Sequence, residues 1–165
     1  MKKLNFKKIL KELAIGAIIL FVVSNALSYI RSPDISDEPL PKLKAKLIDG
    51  RYFTTDPTKP LLIHFWATWC PTCKMELSNI EYVSKEYNVL TIVVDSGDDK
   101  KVLSYMKEHN LSFYVTNDEK GIWAKQFNVK AFPTTFFYDS HSKLKFVEVG
   151  YSSTVGIMAR LKLCK

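Results

Sequence analysis

The sequence predicts an α/β fold in which a central mixed sheet is flanked by helices. Along residues 43–165, short apolar runs alternate with helical patterns, and that alternation is typical of parallel strands joined by helices. The last two strand patterns are separated only by residues 140–142, which predicts an antiparallel hairpin at the end of the sheet. With 165 residues, the chain has room for one such domain and an additional segment.

The first predicted element is an N-terminal helix that crosses the membrane. Leu13–Ile30 is a run of 18 residues without a charge, close to the ~20 apolar residues that a bilayer core requires. Five lysines precede the run and Arg31 follows it, so the positive-inside rule places residues 1–12 in the cytoplasm as a basic tail. We therefore expect a single-pass inner (cytoplasmic) membrane protein whose domain faces the periplasm or exterior. A signal peptide cleaved near Ala26 is the alternative, and it also exports the domain.

The charge of the chain is concentrated at this N-terminus. The formal net charge is +7, yet the residues after Arg31 hold 18 basic and 16 acidic side chains. A nearly neutral domain does not have the basic surface that nucleic acids require, so we expect no nucleic-acid partner. Residues 31–42 are rich in proline and acidic residues, which predicts an extended linker to the domain at 43–165.

The first half of the domain contains a hairpin pattern, a strand, a helix and a second strand. Residues 42–53 alternate around Asp49-Gly50, which predicts a hairpin. Leu61–Trp66 predicts a buried strand, and Val89–Asp95, rich in β-branched residues, predicts a central parallel strand. Between these strands, one helical stripe is formed by Leu77, Ile80, Val83 and Tyr87.

The second half continues the alternation. Asp98–His109 predicts a helix with acids in its first turn. The following patterns predict a short strand at 112–118, a short helix at 119–127, a strand hairpin formed by 134–139 and 143–150, and a closing helix at 153–164.

Two cysteines in the segment FWATWCPTCK, residues 65–74, are the strongest chemical signal. Cys70 follows the predicted strand, and Pro71 suits the first turn of a helix because its missing N–H costs nothing there. A helix N-terminus stabilises an anion, which favours the thiolate form of Cys70. Cys73 lies one turn further on and should be more buried. Such a pair suits thiol–disulfide exchange, in which one sulfur attacks a disulfide and the second resolves the mixed disulfide.

Other uses of the cysteines are less well supported by the sequence. A structural zinc needs four ligands, and Cys164, His109 and His141 are not paired at metal-ligand spacing. A purely structural disulfide would close a small strained ring, and strained disulfides are the labile kind. Cys164, next to the last residue, is expected to be a surface or helix-end thiol.

The segments FWATWCPTCKMEL, residues 65–77, and FPTTFF, residues 132–137, resemble the thioredoxin superfamily. The WATWC form is similar to its membrane-anchored TlpA/ResA/DsbE-like branch, and the stretches from residue 93 to 137 and from 147 to 153 look most like the suppressor-of-copper-sensitivity protein D subgroup. The resemblance implies a thioredoxin fold, a redox-active Cys70–Cys73 disulfide with no other cofactor and no metal, and a cis-proline at Pro133 that faces the cysteines.

The resemblance also implies roles for neighbouring residues. Glu76 matches a ResA-like glutamate and would accept a proton near the cysteines. His64 stands where many thioredoxins have a buried aspartate, so it is either a base or charge partner for Cys73 or a hydrogen-bonded core histidine. Substrate proteins would dock on the side chains that flank the motif, Trp69, Pro71, Thr72 and Phe132.

The sequence thus predicts an exported, membrane-anchored protein-disulfide oxidoreductase that reduces disulfides. Its expected partners are cysteine-containing exported proteins, a membrane electron donor of the thiol-reducing type, and the membrane itself through the N-terminal helix. Three alternatives remain open: a thiol oxidase of the same fold, a copper- or zinc-handling protein that uses the cysteine pair as ligands, and a non-catalytic interaction module.

Overall fold

A computed structural model describes residues 6–31 and 44–164. Helix α1, Phe6–Arg31, covers the segment predicted to span the membrane. Within the described residues, no helix has both the length and the apolar character that crossing a membrane requires. The first five residues of the predicted basic tail, and the predicted linker after Arg31, lie outside the described residues.

A five-stranded mixed sheet forms the centre of the domain. Its strands run in the order β3-β2-β1-β4-β5. Strands β1, β2 and β3 are parallel to one another, whereas β4 is antiparallel to β1 and β5 is antiparallel to β4. The strands are β1 (Leu61–Trp66), β2 (Asn88–Val94), β3 (Tyr114–Asp118), β4 (Thr134–Tyr138) and β5 (Leu144–Val149). The predicted mixed sheet and its closing hairpin are confirmed.

Four helices cover the two faces of this sheet: α2 (Pro71–Val83), α3 (Asp99–Glu108), α4 (Ile122–Gln126) and α5 (Thr154–Leu163). The chain steps in one direction from β1 to β2 to β3, and right-handed crossovers then place α2 and α3 on the same face. Buried residues of α2, α3 and α5 share one core cluster, which we call the α2 face. Buried residues of α4 belong to a second cluster, the α4 face.

The hairpin predicted at residues 42–53 forms as a short one within the described residues. An antiparallel bridge joins Lys46 to Tyr52, the Leu47 and Phe53 N–H groups donate to the Arg51 and Ala45 carbonyls over 2.8 and 2.9 Å, and Gly50 takes a left-handed backbone with φ of 88°. On its outer edge, the Ile48 N–H donates to the carbonyl of Val115 on edge strand β3, 3.0 Å away. The apolar side chains of this turn add to the α4 face: Ala45, Leu47 and Phe53.

Candidate active site

Cys70 lies at the junction between β1 and α2. It is the N-cap residue of α2, with an extended backbone, and Pro71 is the first helical residue. The backbone N–H of Cys73 donates to Cys70 Sγ over 3.2 Å. The sulfur thus occupies the position in which an N-cap oxygen usually accepts. The positive end of the α2 dipole and the Cys73 N–H therefore both lie on the side of this sulfur.

Cys73 has a different environment, although both cysteines are free thiols. Its side chain has no exposed surface, whereas Cys70 is 5% exposed. Burial raises the pKa of the Cys73 thiol far above its ordinary value, and the hydrogen bond with the Cys70 side chain adds to the rise. The two thiols therefore differ in their surroundings, because Cys70 Sγ accepts a backbone N–H at the helix N-terminus and Cys73 is fully buried beneath it.

The loop before β4 closes the site from the other side. The peptide bond between Phe132 and Pro133 is cis, and the Phe132 carbonyl oxygen lies 3.7 Å from Cys70 Sγ. The Phe132 ring meets the Trp69 ring edge-on at a centroid distance of 5.9 Å. Trp69 is 56% exposed, and its indole N–H donates to the Asp95 carbonyl over 2.9 Å. An aromatic rim therefore stands beside the surface sulfur.

Glu76 lies beneath the cysteines, one helical turn after Cys73. Its side chain has no exposed surface, and neither carboxyl oxygen has a hydrogen-bond partner among the described residues. Burial raises the pKa of Glu76 to about 8, the charge of Glu148 adds to the rise, and the nearby Ser152 backbone, which is outside hydrogen-bonding geometry, opposes it. The carboxyl group therefore titrates close to neutral pH.

A row of polar side chains crosses the α2 face of the sheet below this carboxyl group. Strand register places His64 opposite Thr91 on β2 and opposite Thr135 on β4, and Thr135 opposite Glu148 on β5. The Nδ1 atom of His64 lies 2.9 Å from Thr135 Oγ1, while its Nε2 atom has no partner among the described residues. Burial lowers the pKa of His64 to about 3, so the imidazole is neutral at physiological pH.

The loop between β5 and α5 is attached to α2 through Asn79. The Asn79 amide N–H donates to the Ser152 carbonyl over 3.0 Å and to the Tyr151 hydroxyl over 3.3 Å. Its carbonyl oxygen accepts from the Thr154 hydroxyl over 2.8 Å. Asn79 lies three residues after Glu76 on the same helix, so these bonds hold the Ser152 backbone over the buried carboxyl group.

Comparison with known proteins identifies the family to which this chain belongs. The family model described as Redoxin matches residues 33–161, more than three quarters of the chain. The chain belongs to the Redoxin family. A "Thioredoxin-like protein" of Haemophilus influenzae is 29% identical over 96% of both chains. The "Thiol:disulfide interchange protein DsbE" of Escherichia coli K12 is 28% identical over 68% of this chain and 64% of the relative.

Solved structures agree on the fold of this Redoxin-family protein. A "thiol:disulfide interchange protein, thioredoxin family protein" from Chlorobium tepidum superposes with a TM-score of 0.68 at 24% identity, over 79% of this chain and 98% of that structure. The predicted thioredoxin-like fold is thereby confirmed. The protein is a thioredoxin-like protein-disulfide oxidoreductase of the TlpA/ResA/DsbE-like group.

Most residues singled out in the sequence of this Redoxin-family protein lie together. Cys70, Trp69, Phe132 and Pro133 surround one sulfur, with exposed Pro71 and half-buried Thr72 at the start of α2. Cys73 and Glu76 lie beneath them on the inner side of α2. His64 is placed deeper, at the centre of the sheet, where Thr135 is its hydrogen-bond partner.

Cys164 lies away from this site. It caps the C-terminus of α5, which agrees with the helix-end alternative of the prediction, and it has no exposed surface. Burial raises the pKa of Cys164 to about 11, and the charge of Asp139 adds to the rise. Asp139 follows the end of β4, whereas Pro133 precedes its start, so Cys164 lies at the opposite end of the sheet from Cys70.

The sequence did not identify several polar residues of the Redoxin-family site. Thr135 and Glu148 complete the row with His64, Asn79 attaches the loop, and Arg160 of α5 forms an ion pair with Glu148. In the sequence, each of them is only a polar residue within an apolar strand or on a helix face. The sequence alone does not show which of these residues lie side by side in the folded protein. Among the described residues, no three His, Cys, Asp or Glu side chains are grouped as metal ligands.

Proposed function

We propose that this protein is an extracytoplasmic, membrane-anchored oxidoreductase that uses Cys70 and Cys73 to reduce disulfides in exported proteins. The asymmetry of the two thiols is the observation that supports this proposal most directly. Cys70 Sγ accepts a backbone N–H at a helix N-terminus, whereas Cys73 is fully buried and its pKa is raised. Exchange requires two different thiols, because the first sulfur must be a nucleophile in the resting state and the second must attack only after the mixed disulfide has formed.

In the first step, the Cys70 thiolate attacks one sulfur of a substrate disulfide. A bond forms between Cys70 and that sulfur, the substrate S–S bond breaks, and the departing substrate sulfur takes a proton from water. Trp69 and Phe132, which stand beside the sulfur, provide the apolar contact surface for the substrate chain. The Cys73 backbone N–H stabilises the Cys70 thiolate before attack.

In the second step, Cys73 gives its proton to Glu76 and attacks Cys70 Sγ. The Cys70–Cys73 disulfide forms, the mixed disulfide breaks, and the second substrate sulfur leaves as a thiolate. The protein has then lost two electrons and the substrate has gained them. Because the pKa of Glu76 is raised to about 8, its carboxyl group can accept and release a proton near neutral pH. A thiol-reducing membrane donor would return the two electrons.

His64 contributes to this site as a neutral, hydrogen-bonded residue rather than as a base. Its pKa is lowered to about 3, so it would hold a proton only in strongly acidic solution. The bond between Nδ1 and Thr135 fixes the ring in the polar row beneath α2. We therefore assign the proton transfer from Cys73 to Glu76 and a positioning role to His64.

The anchor is the second part of the proposal. The segment Leu13–Ile30 has no charged residue, and α1 exposes the apolar side chains of Leu13, Ile18 and Leu20. Water solvates such a surface poorly, whereas a bilayer accommodates it. A fusion after Lys165 to a protein active only in the cytoplasm should be inactive, and cell fractionation should recover the domain with the membrane. Activity of the fusion would contradict export, and a soluble, shortened domain would indicate cleavage near Ala26.

The central experiment is trapping of partners with Cys73→Ser. This variant should hold exported proteins as mixed disulfides on Cys70, since the resolving thiol is missing. Cys164→Ser is the matched control, because it removes a buried cysteine at the far end of the sheet and should trap nothing. In cells without the protein, the trapped partners should accumulate in their disulfide form. Accumulation of partner thiols would instead indicate an oxidase, and absence of Cys70-linked complexes would contradict the proposed use of this pair.

The narrower likeness to the suppressor-of-copper-sensitivity protein D subgroup stays a prediction. It concerns which partners are reduced, and the same trapping experiment addresses it. Partners that are synthesised under copper stress would support the subgroup, whereas cytochrome apoproteins would indicate a different substrate class.

A further inference from the structure

We propose that the ion pair between Glu148 and Arg160 controls how readily Glu76 takes the proton of Cys73, and so sets the pH range in which the mixed disulfide is resolved. Both are positioning residues that act through Glu76 and do not touch the reacting sulfurs. The inference rests on the proposed role of Glu76 as proton acceptor. It adds a pair of residues from β5 and α5 that the cysteine motif does not contain.

The first observation is where Glu148 lies. Its register with Thr135, which is in turn opposite His64, makes it the last member of the polar row on the α2 face. Glu76 projects towards this face from α2, because it shares the buried side of that helix with Cys73 and Leu77. Both carboxyl groups therefore lie on the same face of the sheet, one without exposed surface and one 25% exposed. Like charges at close range favour protonation of the more buried group.

The second observation is how Arg160 is held. Its guanidinium group binds Glu148 through one nitrogen and donates to the Gly156 carbonyl over 3.1 Å through the other. It also lies over the Phe137 ring, 6.0 Å from the centroid. The side chains of Arg160 and Glu148 are 28% and 25% exposed, so the pair is a fixed charge arrangement at the boundary between the core and solvent.

The third observation is that Glu76 has few other polar neighbours in the described structure. Neither of its oxygens has a hydrogen-bond partner there, and Ser152 contributes a backbone interaction. Among the described residues, the other titratable side chains on this face include Cys70, Cys73 and Cys164, His64 on β1, and the partly buried Tyr87 and Tyr105, of which Tyr105 faces Cys73. His64 is neutral near pH 7, so the Glu148–Arg160 pair provides the nearby fixed charge.

The signs of the expected effects follow from this arrangement. The charge of Glu148 raises the pKa of Glu76, and Arg160 neutralises part of that charge. Loss of the Glu148 charge leaves a cation near Glu76 and should lower its proton affinity. Loss of the Arg160 charge leaves Glu148 unpaired and should raise it. The two substitutions should therefore move the resolving step in opposite directions along the pH axis, which a merely structural ion pair would not do.

The experiment follows both chemical steps in the full-length protein with the small aromatic disulfide of Ellman's reagent. Attack by Cys70 releases one coloured thiolate, and attack by Cys73 on the resulting mixed disulfide releases a second. The rate of the second release is measured from pH 5 to pH 10. Glu148→Gln should shift its midpoint to lower pH and Arg160→Gln to higher pH, each by about 0.5–1 pH unit, which is a three- to tenfold change in proton affinity.

Three controls accompany these variants. Arg160→Lys keeps the charge and should restore the parent midpoint. Asp139→Asn removes one partner of the Asp139–Lys145 ion pair, 3.3 Å long and near the opposite end of the sheet, and should shift nothing. The rate of the first release should change less than about twofold in every variant, because a charge on β5 does not act on the reactivity of Cys70.

Two failures can be told apart. If the parent shows a single release, or if Cys73→Ser retains the second one, the proposed function fails. If the parent shows both releases but the two charge variants leave the midpoint in place, or move it in the same direction, the inference alone is wrong. If Arg160→Gln does not fold, Glu148→Gln and Arg160→Lys still test the inference. The midpoint of the second release should shift to lower pH in Glu148→Gln and should stay in place in Arg160→Lys.

Discussion

The two faces of the central sheet are built from the same strands but differ in chemistry. On β1, Ile63 and Phe65 point into the α4 face, where Phe127 and Phe136 form an aromatic cluster around Phe65 at centroid distances of 5.1 and 5.7 Å. His64, between them in sequence, points to the α2 face and into the polar row. One strand thus contributes close apolar packing to one side and a buried hydrogen bond to the other.

This difference separates stability from reactivity within one small domain. Apolar burial stabilises the fold by about 25 cal/mol for each Å² removed from water, and the α4 face provides it through side chains such as Phe65, Phe127 and Phe136. A buried polar group without a full set of partners costs ~1–3 kcal/mol, and Glu76 and His64 on the α2 face both have unpartnered atoms in the described structure. The α2 face therefore gives up stability where the exchange chemistry needs proton carriers.

The largest expected effect on stability tests the α4 face. Phe136 is fully buried on β4, and Phe136→Ala should lower the free energy of unfolding by about 3–5 kcal/mol, because truncation leaves a cavity in the aromatic cluster. Urea unfolding measures this change. The rate of the Cys70 step, corrected for the folded fraction, should stay within about twofold of the parent. A tenfold slower step would mean that the faces are not separate.

The next effect concerns Glu76 and the alkaline side of the pH–stability curve. Its pKa is raised in the folded protein from 4.5 to about 8, so the folded state binds more protons than the unfolded state in that interval. Stability is therefore fully present below about pH 4.5 and falls as the pH rises towards 8. Glu76→Gln should remove this fall and be more stable than the parent by roughly 4 kcal/mol at pH 8. Its resolving step should nevertheless be slower.

Denaturation at several pH values, combined with rapid-mixing kinetics, tests both halves of the Glu76 prediction. If Glu76→Gln is less stable than the parent at pH 8, the carboxylate has hydrogen-bond partners in solution and is not a strained proton carrier. Glu86→Gln, on the exposed surface after α2, is the matched control and should reproduce the parent curve.

A smaller effect is expected from His64. Its pH dependence has the opposite sign, because stability is lost on the acidic side of the pH–stability curve. Its pKa falls from 6.5 to about 3 on folding, so the unfolded state binds more protons, and stability is lost as the pH falls from about 6.5 towards 3. The double variant His64→Leu/Thr135→Val replaces both hydrogen-bond partners with apolar side chains. It should be more stable than the parent by roughly 2 kcal/mol at pH 5. Thermal unfolding at pH 5 and pH 7 measures the gain, which should nearly vanish at pH 7.

The smallest effect on stability belongs to the exposed aromatic rim. Trp69→Ala removes a side chain that is mostly exposed, so the free energy of unfolding should change by less than about 1 kcal/mol. Reduction of a protein disulfide should slow by about tenfold, because the apolar docking contact is lost. Reaction with a small disulfide should change less than about twofold. Equal losses with both substrates would place Trp69 in the chemistry rather than in docking.

The sequence predicted the order and type of the domain elements because apolar periodicity is a local property. It also predicted that Cys70 and Cys73 differ, since both positions follow from one strand end and one helix start. The row through His64 could not be predicted. It depends on the register that brings His64, Thr135 and Glu148 side by side, and register is decided by packing between distant segments.

Two details that the sequence did not predict have the same physical origin. The hairpin around Asp49-Gly50 was recognisable, but its contact with the edge of β3 through Ile48 was not. The position of Cys164 near the end of the chain suggested exposure. Its burial follows from the docking of α5 on the sheet, where Ile157 and Leu161 enter the core of the α2 face.

The buried thiol of Cys164 is a probe for local opening at the end of the last helix, α5. A thiol-modifying reagent can react with this side chain only in molecules in which the C-terminal end of α5 has opened, because the native structure leaves no part of it exposed. When reclosing is faster than modification, the observed rate is the intrinsic rate multiplied by the open fraction, and it yields the free energy of that local opening. The same rate therefore reports how firmly the last turn of α5, which includes Leu161, is held in the core of the α2 face.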